Sequence, residues 1–241
     1  MRVEARSYRF EQEIVQHQNF TNAWGEIQTI LTQAPLFVFA GKSKKHPKHD
    51  VVQQVMNTYF DRRFVIDHGW QYHPLATRIP ESDLKADFRK TFGALTIQTE
   101  IQFGNMARWY SDIFKFQTAY SQGLIQMGLS VVTMTELAKR IDQNVVNFER
   151  TWRELPSAEL SITLPIMLIG LNVDEQTKIL DISKCKFSGI GEIIGKGKAE
   201  NRWRIVNGYL GGTPMHKIGP DSPTGLMTGP EAEEDVEESE T

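Results

Sequence analysis

A single cysteine, Cys185, stands among 241 residues. That excludes a disulfide framework within the chain and suits a reducing cytoplasm. No apolar run approaches the ~20 residues that a bilayer-spanning helix needs; the longest, Leu164–Leu171 (LPIMLIGL), falls well short. The opening MRVEARSYRF is mixed and charged and lacks the apolar stretch of a secretory leader. These absences predict a soluble cytoplasmic protein with no membrane partner. His46, His49, His68 and His73 lack the close spacing and the cysteine partners of a zinc site. Gly191–Lys198 (GEIIGKGK) lacks the GxxxxGK[ST] order, because Ala199 follows Lys198, so no nucleotide cofactor is expected. Internal repeats are absent too.

Positive charge is missing from one end. From Gly219 onward the chain carries 8 acidic residues and no lysine or arginine. The net charge of −3 therefore hides a body of 27 basic and 22 acidic residues, or +5. A mildly basic body is compatible with a polyanionic partner without demanding one. Hydrophobic residues at 40% and charged residues at 24% allow one packed domain. We place that domain over residues 1–218, with 219–241 as an acidic, flexible tail.

Periodicity predicts a helix over Phe10–Gln33, ending at Pro35 where LFVFA (Leu36–Ala40) begins a short strand. GKSKKHPKHD (Gly41–Asp50) is a basic loop, and Asp50 is the expected cap of a helix that follows. A strand is expected over about Leu84–Arg89, a turn at Phe92-Gly93-Ala94, and a second, half-buried strand over Leu95–Phe103. Asn105–Tyr120 reads as a helix with Trp109, Ile113, Phe116 and Tyr120 on one side. Leu124–Met134 reads as a buried strand, one long helix carries Leu137, Ile141, Val145, Phe148 and Trp152, and LPIMLIGLNVD reads as a central strand. Residues 186–216 suggest hairpins or an excursion near a ligand. Interleaved helices and strands predict an α/β domain, a central mixed sheet flanked by helices.

The chemistry concentrates at Asp87 and Glu100-Ile101-Gln102. Side chains alternate along a strand, so Glu100 and Gln102 project together, and an antiparallel neighbour can bring Asp87 beside Glu100. Two carboxylates, the Ile101 carbonyl, phosphate and water make the hard, all-oxygen site that Mg²⁺ prefers. Such a cation neutralises charge on a phosphate and acidifies water. Gln102 neither gives nor takes a proton near neutral pH but can orient water or phosphate. The same spacing also fits a solvated polar face of an ordinary edge strand. Lys42, Lys44, Lys45 and Lys48 are candidate phosphate contacts or simply a solvated loop. Glu26 reads as structural or solvated, Trp109, Tyr110, Phe114 and Phe116 as core or dimer packing, and Cys185 as structural.

Three segments resemble the BglII/BstYI-type restriction endonucleases, a branch of the PD-(D/E)xK nucleases. They are Trp24–Leu36 (WGEIQTILTQAPL); Ala86-Asp87-Phe88 with Thr99–Asn105 (TEIQFGN); and Leu164–Asn172 (LPIMLIGLN). The resemblance spans about residues 15–175. It implies that Asp87 and Glu100 are metal ligands, that Gln102 stands where most of the superfamily has lysine, and that Asn105 reaches the recognition site. The 13-residue gap between Asp87 and Glu100 exceeds what the family suggests, so Asp83 competes as the first ligand. The resemblance also implies a homodimer that embraces double-stranded DNA, Mg²⁺ as cofactor, and cleavage at a short palindrome with a central GATC, leaving 5′-phosphate ends. Two other functions remain open on the sequence: a nuclease guided by DNA structure or damage, and a non-catalytic DNA-binding protein on the same core.

Overall fold

The computed structural model describes residues 1–17 and 21–228. In chain order its elements are β1 (Arg2–Tyr8), α1 (Glu11–Gln16), α2 (Thr21–Thr32), β2 (Leu36–Val38), α3 (Gln53–Asp61), β3 (Gln71–Tyr72), β4 (Phe88–Phe92) and β5 (Leu95–Gln102). There follow α4 (Met106–Ser121), β6 (Met127–Thr133), α5 (Thr135–Ile141), α6 (Phe148–Glu154), β7 (Ile166–Asn172), β8 (Ile179–Asp181) and α7 (Ala199–Leu210). Six strands form one mixed sheet in the order β1-β7-β6-β5-β4-β3, and β2 pairs with β8 in a small parallel sheet. The centre, β5-β6-β7, is parallel, and β4 and β1 flank it antiparallel. This is the expected mixed sheet flanked by helices.

Parallel strands covered on both faces read as unbroken apolar runs. Every residue of β6 and of β7 is buried, which is why MGLSVVT and IMLIGLN show no alternation of polarity. Alternation survives as size. Met127, Leu129, Val131, Met167, Ile169 and Leu171 face the larger core with α2 and α3. The opposite positions include Gly128, Ser130 and Gly170. A methyl at Gly128 would lie 2.9 Å from the Phe116 ring, and one at Gly170 would lie 2.8 Å from the Phe148 ring. These small residues let the aromatic faces of α4 and α6 sit directly on the sheet.

The polar row of β5 lies on that same side. Gln98 and Glu100 are buried, so β5 is a central strand closed on both faces, not the half-buried strand that its alternation suggested. The cover is α4, whose Trp109, Ile113 and Phe116 turn inward as the spacing predicts.

Other expectations need correction. Residues 2–8, charged at alternate positions, form the edge strand β1. The helix expected over Phe10–Gln33 is at least two helices, with residues 18–20 outside the described residues. Asp50 does not cap α3; it pairs with Arg140 at 2.6 Å, and α3 starts after Val52 without a side-chain cap. The first strand of the β4–β5 hairpin runs over Phe88–Phe92, four residues later than Leu84; Gly93 supplies its turn with a φ of 61°. The long helix through Leu137 and Trp152 is broken at residues 142–147, where Val145 bridges Asn105 and Asn147 caps a new helix, α6. The glycine-rich 186–216 region holds α7 instead of hairpins. The chain after Gly219 packs on α7 as far as it is described: Arg204 and Asn207 donate to the carbonyls of Ser222, Thr224 and Leu226.

Candidate active site

The register of β4 on β5 sets Phe88 opposite Thr99, and therefore Asp87 beside Glu100. The two acidic residues interlock through the backbone. The Asp87 N–H donates to Glu100 Oε2 at 3.3 Å, and the Ile101 N–H donates to Asp87 Oδ2 at 2.7 Å. Glu100 is held on both oxygens: Gln98 Nε2 donates to Oε1 at 3.2 Å, and Arg89 Nη2 steadies Gln98 in turn at 2.9 Å. Asp83, the rival ligand, lies on the surface and pairs with Lys85 at 3.1 Å.

A cleft of about 370 Å³ opens over Asp87, Ile101 and Gln102. One wall comes from α3 (Gln54, Asn57, Asp61), another from α4 (Arg108, Asp112, Lys115), and a third from α7 (Arg202, Trp203), with Met227 and Thr228 at its rim. His73 also lines it, and its N–H donates to the Asp87 carbonyl at 3.0 Å. Burial, with Lys85 and Lys115 nearby, pushes the His73 imidazole down to about 4, so it is neutral at physiological pH.

Two residues that the sequence reading passed over complete the cluster. Asp112 and Lys115 stand three apart on α4 and point at the polar row of β5. Lys115 Nζ donates to Glu100 Oε2 at 3.1 Å and to Asp112 Oδ1 at 3.0 Å. Gln102 Nε2 donates to Asp112 Oδ2 at 3.0 Å, while its Oε1 accepts from the Gly104 N–H at 2.8 Å. The Gln102 amide is thus clamped at both ends. A signal for Asp112 was present: it occupies the i+3 position of the buried stripe that begins at Trp109, where an apolar residue belongs.

The electrostatics follow from three carboxylates around one ammonium. Burial pushes Asp87 up to about 6, Asp112 adds to the shift, and Lys115 and the Ile101 N–H oppose it. Burial raises Glu100 well above the ordinary carboxylate range, reinforced by Asp87 and Asp112. Asp112 is raised by burial against the pull of Lys115. Burial alone would lower Lys115, but Glu100, Asp112 and Asp87 outweigh it and hold the ammonium. Three carboxylates around one ammonium leave the cluster with an excess of acidic groups, and their oxygens fit a hard divalent cation. Among the described residues no three His, Cys, Asp or Glu side chains form a ready-made metal cage. A cation here would complete its shell with backbone, phosphate and water oxygen.

The remaining candidates lie elsewhere. Asn105 caps α4, its Oδ1 accepting from the Arg108 N–H at 3.1 Å. Lys42 turns inward and donates to the carbonyls of Val51 and Ile141. Lys44, Lys45 and Lys48 are exposed on their loop, and none lines the cleft. Glu26 is structural: it accepts from Trp70 Nε1 at 2.6 Å and from Lys90 Nζ at 2.8 Å. Cys185 is buried, which pushes its thiol up to about 11.

No curated protein matches this chain. Among solved structures, it resembles BglII complexed with a DNA 16-mer, with a TM-score of 0.60 at 20% identity, covering 73% of this chain and 81% of that one. Free BglII gives a TM-score of 0.52 at 21% identity, covering 73% and 82%. At these identities the likeness establishes the fold. The family model described as restriction endonuclease BglII/BglIII matches residues 3–171, a span that runs from β1 into β7 and includes Asp87, Glu100 and α4. The chain belongs to that family, the BglII-type restriction endonucleases, and so to the type II site-specific DNA nucleases.

Proposed function

We propose that this protein hydrolyses phosphodiester bonds in double-stranded DNA at a short palindrome with a central GATC, using Mg²⁺ and leaving 5′-phosphate and 3′-hydroxyl ends. The observation that carries this reading is the interlock of Asp87, which lines the cleft, with Glu100 buried directly behind it on the paired strand. Restriction endonucleases of this family generally use a divalent metal. On this reading Asp87, Glu100 and the Ile101 carbonyl hold the cation. Bound there, it supplies charge neutralisation at the scissile phosphate and acidity for the attacking water.

The protein's own groups do the positioning. Gln98 and the Asp87 N–H fix the Glu100 carboxylate before substrate arrives, so little reorganisation is left for the reaction step. Gln102, held between Gly104 and Asp112, sets the cleft floor beside the phosphate. Asn105, at the exit of β5, reads the recognition site from the start of α4. Lys44, Lys45 and Lys48 contact the phosphate backbone outside the cleft, adding salt-dependent affinity, while Lys42 anchors their loop. A homodimer presents two such clefts to the two strands, and its two-fold symmetry matches a palindrome.

The test is digestion of phage-sized DNA by purified protein with Mg²⁺, followed by sequencing of the ends. Discrete fragments with a common GATC-centred end are expected. A smear would transfer the protein to the structure-guided nucleases. Glu100→Ala should keep the fold and DNA binding while lowering cleavage at least 1000-fold; wild-type cutting by this variant would remove Glu100 from the site.

A further inference from the structure

The strand position beside Glu100 carries an amide, not a cation, and that amide is already occupied. Both ends of Gln102 are hydrogen-bonded, to Gly104 and to Asp112. Yet the site is not without a cation. Lys115 reaches it from α4, with an 18% exposed side chain, and among the described residues it is the one lysine lining the cleft. Lys90, the half-buried lysine of β4, is spent on Glu26 and on the His68 carbonyl.

We propose that α4 supplies the active centre's cation: Lys115 is a catalytic residue that contacts the scissile phosphate, and Asp112 is the positioning residue that aims it and clamps Gln102. The inference rests on the nuclease reading above. Its physical basis is that a half-buried lysine among three carboxylates is costly to assemble merely for packing, since apolar residues of similar volume serve as well or better. Lys115 shares its ammonium between Glu100 and Asp112, with three donors available. It can therefore meet a phosphoryl oxygen while Asp112 keeps hold of it. In the hydrolysis the water oxygen bonds to phosphorus, the P–O3′ bond breaks, the water proton passes to solvent and the 3′-oxygen takes one up. Lys115 stays an ammonium throughout; it contributes charge, not a proton.

The experiment uses the full-length protein and a supercoiled plasmid that the wild type linearises. Single-turnover rates are measured across a Mg²⁺ titration for wild type, Lys115→Met, Lys115→Arg and Asp112→Asn, with plasmid binding measured in Ca²⁺. Lys115→Met is expected to lower the rate at saturating Mg²⁺ at least 100-fold, with the DNA Kd within threefold. Lys115→Arg should recover at least tenfold over the methionine variant, and Asp112→Asn should lose about tenfold. Should Lys115→Met not fold, the double variant Asp112→Asn/Lys115→Met, which balances the buried charge, takes its place with the same expected loss. A merely structural lysine predicts a different split: the Mg²⁺ requirement shifts while the saturating rate stays within threefold of wild type, and that result overturns the proposal. A wild-type protein that cuts no plasmid would instead overturn the nuclease reading on which this one stands.

Discussion

Asp87 shows how one residue's environment sets both stability and activity. In the folded, metal-free protein it keeps its proton up to about pH 6, whereas the ordinary value is 3.8. Between those values the folded state holds the extra proton, so stability falls as pH rises through that window. At pH 7.5 the ionised Asp87 is a net cost. Asp87→Asn removes the charge yet keeps an oxygen for the Ile101 N–H. Thermal melts without metal should show this variant more stable than wild type by roughly 5 °C at pH 7.5 and equal at pH 4. Cleavage by the wild type should fall as pH drops below about 6, because the proton and the cation compete for one carboxylate. An Asn variant that melts lower at pH 7.5 would mean that burial does not strain this carboxylate. That Asp87 meets Glu100 was legible in the sequence, because a strand's two-residue period fixes where Glu100 points and an antiparallel neighbour brings Asp87 beside it. Lys115 was not, because its contact with Glu100 depends on where α4 docks on the sheet, which no local period encodes.

At the scale of elements, legibility followed burial. Strands β6 and β7 were plain because two-sided burial leaves uninterrupted apolar runs, and α4 was plain because its inner stripe is regular. The edge strand β1 was missed because it needs only one neighbour, β7, and tolerates Arg2, Glu4 and Arg6 along its length. The break between α5 and α6 was missed because Val145 continues the apolar spacing although its backbone bridges Asn105. Helix α7 was hidden by the glycines before it, yet it walls the cleft with Arg202 and Trp203. Asn105 belongs to this scale too, since it joins β5 to α4 and caps the helix. Asn105→Ala should cost about 1 kcal/mol of stability, read from urea unfolding. Asn105→Asp keeps the cap and should keep the stability. If Asn105 also reads DNA, the Asp variant should still lose at least tenfold in cleavage, because an acceptor-only side chain replaces a donor. Full activity in the Asp variant would leave Asn105 a cap alone.

At the scale of the molecule, one exposed aromatic surface among the described residues is the outer face of α4. Tyr110 and Phe114 lie four residues apart there and are 49% and 63% exposed, while Trp109 and Phe116 of the same helix are buried. Tyr110 is engaged with Glu154, which Arg150 also holds at 2.7 Å, so α6 supports this surface from beside it. An exposed aromatic pair on a firmly backed helix suits a partner surface better than it suits water. The inner side of the same helix carries Asp112 and Lys115, so a contact between two copies here would lie one helix thickness from each active centre. Such a contact would couple the cutting of the two strands. Sedimentation of the wild type should give a dimer, and Phe114→Asp should give a monomer with thermal stability close to that of the dissociated wild type. The monomer should lose double-strand cleavage and, at high protein concentration, release nicked rather than linear plasmid. A Phe114→Asp protein that still sediments as a dimer and linearises plasmid at the wild-type rate would place the interface on another face and leave this aromatic pair without a role in assembly.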